Sequence, residues 1–111
     1  MARKRTAFRV EWAQTARADL EAIVDYIADD SVQNALSILD KLEQTAASLA
    51  TVPKRGRVVP ELAAVGVHGY RELLPSPWRI IYRISENTVY VLAVFDGRRN
   101  LGDLLLERFL R

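Results

Sequence analysis

The chain has 111 residues, half of them hydrophobic and 27% charged, with a net charge of +2: enough for one globular domain whose core needs neither metal nor disulfide. It has no cysteine, which excludes disulfides, thiol nucleophiles and cysteine-ligated zinc and fits a reducing cytoplasm. Its longest apolar run, the seven residues 89–95, falls far short of the ~20 needed to cross a bilayer, so no membrane partner is expected.

In chain order, Met1-Ala2-Arg3-Lys4-Arg5 is basic but lacks the apolar stretch of a signal peptide, and residues 1–7 are expected as a flexible lead-in to a single domain. Phe8, Val10 and Trp12 alternate with Arg9 and Glu11, the period of a short strand. Ala16, Leu20, Ile23, Val24 and Ile27 repeat at helical spacing over residues 15–28. Asp29-Asp30-Ser31 interrupts that pattern and offers N-caps to a second helix, whose stripe is Ala35, Ile38, Leu39, Leu42, Ala46 and Leu49. The two helices form an αα-hairpin with an acidic outer face. Pro53 and Gly56 mark a loop, and a second loop runs through residues 60–69.

Three strands follow, at 70–74, 78–84 and 88–95, with Ser85-Glu86-Asn87 as a tight turn. Short connections make them an antiparallel meander. In the middle strand Trp78, Ile80, Tyr82 and Ile84 share one face, and Arg79, Ile81 and Arg83 the other. One face is expected to pack on the helices and the other to stay partly open. Residues 101–110 form a short amphipathic helix or a tail. The order β-α-α-β-β-β, with that terminal segment, is an α+β fold.

Charge is unevenly distributed. Residues 1–53 carry six Lys/Arg and eight Asp/Glu, a net −2, whereas residues 54–111 carry ten and six, a net +4. Nine of those ten cations are arginine, whose planar fork suits phosphate and carboxylate. Arg71, Arg79, Arg83, Arg98 and Arg99 are expected to converge on the open sheet face, with Lys54, Arg55 and Arg57 in the loop leading to it. Such a cluster neutralises phosphates, stabilises a phosphodiester transition state or meets an acidic protein partner. A simpler pattern is cross-strand pairing of Arg79 and Arg83 with Glu72 and Glu86.

Most catalytic constellations are missing. His68 is the sole histidine and lies in a loop, so a metal centre is not expected. There is no phosphate-binding glycine loop or dinucleotide fingerprint, and no cofactor is implied.

At these residues the chain resembles the RelE/ParE superfamily of toxins from bacterial type II toxin–antitoxin, or plasmid stabilisation, systems. The likeness runs over residues 8–99: a strand ending in Trp12, then ADLEAIVDYIA at 18–28, VPKRGRVVPEL at 52–62, YREL at 70–73, WRIIYRI at 78–84 and VLAVFDGRR at 91–99. No single motif is strong, but their order and spacing are specific. The GR-x-x-PEL loop and the arginine pair Arg98-Arg99 look more like the ParE branch than the RelE branch.

The branches imply different chemistry. RelE-like members are ribosome-dependent mRNA endonucleases that use strand cations with a C-terminal Tyr or His. Arg71, Arg79, and Arg98 or Arg99 match the cationic positions. Leu73 stands where a second strand cation belongs, Asp96 where many relatives have His, and residues 96–111 contain neither Tyr nor His. No general acid or base therefore accompanies the arginines. ParE-like members inhibit DNA gyrase by trapping its cleavage complex and perform no chemistry of their own. The resemblance thus implies a binding toxin with Arg57, Arg71, Arg79, Arg83, Arg98 and Arg99 as target contacts. It also implies a cognate antitoxin with a ribbon-helix-helix DNA-binding domain, forming a hetero-oligomer with the toxin. In this family the antitoxin lies along the toxin's helices and sheet, which makes Tyr26, Trp78, Leu105 and Phe109 its candidate contacts. The alternatives are a RelE-like nuclease acting on ribosome-bound message, and a non-toxic antitoxin-binding relative.

Overall fold

The computed structural model describes residues 7–110; apart from Ala7, the expected lead-in lies outside them. Strand β1 (Arg9–Trp12) is followed by helices α1 (Gln14–Ala28) and α2 (Val32–Ala47), the latter running into a 3-10 turn (Ser48–Ala50). Then come β2 (Arg57–Val58), the one-turn helix α3 (Pro60–Ala63), β3 (Arg71–Leu73), β4 (Trp78–Ser85), β5 (Thr88–Asp96) and α4 (Gly102–Phe109). The expected α+β order holds. Ser31 caps α2, its hydroxyl accepting from the Asn34 amide at 3.1 Å, as Asp29-Asp30-Ser31 implied. The terminal segment is a helix. The stretches read as loops gain β2 and α3, the latter opened by Pro60 at its first position.

The five strands form one mixed sheet in the order β1-β5-β4-β3-β2. β1 runs parallel to β5, and every other neighbour is antiparallel. The αα-hairpin covers one face, where Leu20, Leu42, Leu49, Ile80, Tyr82, Val89 and Val91 are buried together. The other face is not open. α3 and α4 lie on it, and Val59, Leu62, Ile81, Ala93, Phe95, Leu101 and Leu105 form a second buried cluster there. The segment that the sequence left as helix or tail therefore closes the surface expected to hold the arginines.

A bulge sets which residues reach which cluster. Ile81 pairs with Ala93 but Tyr82 pairs with Val91, so Leu92 is an extra residue. Before it, Val89 and Val91 face the hairpin; after it, Ala93 and Phe95 face α4. The strand exchanges faces partway along and serves both clusters.

Candidate functional site

The arginines do not form one cluster. β4 carries Arg79 and Arg83 on the face opposite Tyr82, as the alternation predicts. Arg71 pairs with Tyr82 across the β3–β4 ladder, and so belongs to the hairpin face. Its Nη1 donates to the Gly56 carbonyl at 2.7 Å.

Arg79 lies almost wholly under the surface, its side chain 9% exposed. Its Nη1 and Nη2 donate to the two carboxylate oxygens of Glu61, each at 2.7 Å, a bidentate pair. Its Nε donates to Glu72 Oε1 at 2.6 Å. Glu72 is fully buried and accepts at its other oxygen from Arg57 Nε at 2.7 Å. The result is a chain of alternating charge, Arg57–Glu72–Arg79–Glu61, that crosses β2, β3 and β4 and ends on α3. The Arg79–Glu72 pairing matches the simpler sequence pattern; Glu61 is a partner that pattern did not include. The hydrogen bonds from Arg79 hold the Glu61 carboxyl below its ordinary range against the opposing effect of burial, and Glu61 in turn raises the Arg79 guanidinium above its own. The fork of Arg79 is occupied from within the chain.

Arg83 does not pair with Glu86. Its guanidinium lies 5.4 Å from the Tyr90 ring centroid. It lines a separate cavity with Thr15, Tyr70, Leu92, Arg108 and Phe109. Arg98 donates from Nε and Nη2 to the carboxylate of Asp96 at 3.1 and 2.9 Å, while remaining 71% exposed. This pair, with the Arg98 amide, draws the Asp96 carboxyl down to about 2. Arg99 is exposed beside it.

Two depressions meet at Trp78 and Arg98. The first, about 310 Å³, is lined by Arg57, Leu74, Pro77, Trp78, Arg79 and Arg98, together with Ser76 and Gly97. Three arginines give it a basic composition, yet each is bonded to a carboxylate. The second, about 540 Å³, is more apolar: Ala22, Ile23, Tyr26 and Ile27 of α1 face Trp78, with Asp96, Arg98 and Arg99 at the rim. Trp78 separates the two, and its buried Nε1 has no hydrogen-bond partner.

The residues expected to meet an antitoxin are therefore placed very differently. Tyr26 is 80% exposed beside the apolar depression, and Trp78 forms its inner wall. Leu105 is fully buried in the second cluster, so its side chain is not at the surface. Phe109 packs against Tyr70 at 4.9 Å between ring centroids. His68 is exposed. Among the described residues no group of three or more His, Cys, Asp or Glu is arranged to hold a metal. None of their helices is long and apolar enough to cross a membrane.

Comparison with known proteins places this architecture among the toxins of type II toxin–antitoxin systems. The family described as "ParE toxin of type II toxin-antitoxin system, parDE" matches residues 10–101, and the chain belongs to it. Toxin ParE3 of Caulobacter vibrioides is 29% identical over 95 residues, which cover 85% of this chain and 91% of that protein. Toxin RelE2 of the same organism is 33% identical over 92 residues, covering 82% and 97%. Among solved structures, the chromosomal ParDE system from P. aeruginosa superposes with a TM-score of 0.65 at 22% identity, covering 83% of this chain and 98% of that one. The RelBE2 toxin–antitoxin complex from Mycobacterium tuberculosis gives 0.62 at 26% identity, covering 84% and 94%. The relatives carry names from both branches of the superfamily.

Proposed function

We propose that this toxin acts by binding: that it is a ParE-like inhibitor of DNA gyrase, neutralised by a cognate antitoxin. The observation that carries this reading is the state of Arg79. An arginine that stabilises a phosphodiester transition state must present its fork to the substrate, and here the fork is filled by Glu61 while Nε is held by Glu72. No Tyr or His follows Arg99 to move a proton. What remains accessible is a surface of mixed chemistry around Tyr26, Trp78, Arg98 and Arg99, suited to a protein partner. Tyr26 and the apolar depression beside it are the proposed antitoxin contact, with Arg98 and Arg99 as charged rim.

Purified protein is expected to stop gyrase from supercoiling relaxed plasmid and to leave cleaved DNA on denaturation. Normal supercoiling at micromolar protein, with growth arrest in cells intact, would sink this reading. Cleavage of message on translating ribosomes, abolished by Arg79→Ala, would replace it with the RelE-like one.

A further inference from the structure

The depression lined by Arg57, Arg79 and Arg98 has the composition of a phosphate site and the charge balance of a closed ion network. Glu61 is the group that fills the Arg79 fork, reaching it from α3 outside the lining of the depression. Its two oxygens take both terminal nitrogens of Arg79 in the parallel geometry that two phosphate oxygens would use. Glu61 is also fixed in place. It sits in the first turn of α3 between Pro60 and Leu62, and Leu62 is fully buried in the second core cluster. A carboxylate anchored this way competes at the high local concentration of an intramolecular ligand. The Glu61 side chain is one third exposed, so solvent and solutes reach the pair from outside.

We propose that Glu61 is a specificity-determining residue: it fills the Arg79 fork in place of an external oxyanion, so that Arg79 is withheld from phosphate and the phosphodiesters of nucleic acid. Selectivity of this kind comes from a group that disfavours the wrong ligand. The inference deepens the binding-toxin reading, on which its biological sense rests, by naming a ligand class the surface excludes.

Glu61→Gln removes the charge and keeps the size. Binding of a short fluorescein-labelled oligouridylate, followed by anisotropy, is expected to tighten about tenfold in this variant. The dependence of log affinity on log salt should steepen by about 0.7, one phosphate contact on a single strand. Glu21→Gln, on the exposed face of α1, changes net charge equally and should match the unaltered protein. Adding Arg79→Met to Glu61→Gln should abolish the gain. Equal affinity of Glu61→Gln and the unaltered protein overturns the proposal, as does a gain that survives Arg79→Met.

A second measurement needs no variant. In the unaltered protein the Arg79 Nε–H resonance should stay fixed as inorganic phosphate is added, and a saturable shift overturns the proposal. The gyrase assay is independent of both. Inhibition of gyrase with no gain in Glu61→Gln removes this inference and leaves the reading above. A gain without gyrase inhibition does the reverse.

Discussion

Tyr82 shows how a single side chain ties a loop to the sheet. Its ring is buried against the hairpin, while its hydroxyl donates to the Pro53 carbonyl at 2.7 Å and accepts from the Gly56 amide at 3.0 Å. Burial pushes the phenol above its ordinary range, so it stays a neutral donor. Tyr82→Phe should cost roughly 1–3 kcal/mol, because two backbone groups lose their partner in a site water does not readily enter. Urea unfolding measures it. Gly56→Ala should cost more: its Cβ would stand 2.5 Å from the Glu72 carbonyl oxygen and 2.6 Å from the Tyr82 hydroxyl. Asp96 offers a second test at this scale. Its carboxyl titrates near 2 because Arg98 donates to it, so the stabilisation is present above the unfolded value of about 3.9 and is lost as pH falls towards 2. A carboxyl-detected NMR titration should place the midpoint there, and Arg98→Ala should raise it only part of the way towards the ordinary aspartate range, because the backbone amide of residue 98 still donates to the carboxylate.

Among the elements, α4 is held by the buried Leu101 and Leu105 and, near its end, by the bonds of Arg108. Arg108 donates to both oxygens of Asp19 at 3.3 and 2.9 Å and to the Leu92 carbonyl at 3.3 Å, and lies over the Phe95 ring at 5.3 Å. Asp19 also accepts from the Val94 amide at 3.0 Å. β1 pairs with β5 only as far as Val91, so these two side chains cap the edge of β5 beyond it. With Leu101 and Leu105 still packed, Arg108→Ala should fray only the C-terminal turn of α4. Hydrogen exchange of that turn's amides should speed at least about tenfold, while β4 and the first half of β5 stay protected. This arrangement also marks how far the sequence could be read. The alternation in β4 placed Arg79, Ile81 and Arg83 on one face, and the helical stripes placed the hairpin, because period alone decides those features. Period cannot announce the extra residue at Leu92. It cannot say that Leu101 and Leu105 would cover the face read as open, nor that Glu61, seen as a loop residue, would reach across to Arg79. Those depend on contacts between separate segments, nine to twelve residues apart at the bulge and eighteen between Glu61 and Arg79, for which local pattern carries no signal.

At the scale of the molecule, one sheet serves two cores of unequal size. The hairpin side buries Leu20, Leu42, Leu49, Ile80, Tyr82, Val89 and Val91, and the α4 side adds Val59, Leu62, Ile81, Ala93, Phe95, Leu101 and Leu105. Because β4 and β5 contribute to both, neither core can lose its packing without disturbing strands the other uses. The Arg57–Glu72–Arg79–Glu61 chain runs along the α4 side, with Glu72 beside Ile81 in the ladder and Glu61 beside Leu62 on α3. The smaller core thus keeps the Arg79 fork filled, and damage to it should reach the surface as a change in charge. Leu105→Ala deletes a fully buried side chain there and should cost about 2–5 kcal/mol. Two probes decide whether the cores are coupled: tryptophan fluorescence, with Trp78 on the hairpin side, and far-ultraviolet circular dichroism. If they are, both probes report one shared transition that moves to lower urea without a change in slope. Two separated transitions in this variant, with the hairpin signal unmoved, would mean that the α4 side melts alone and that the shared strands do not couple the cores.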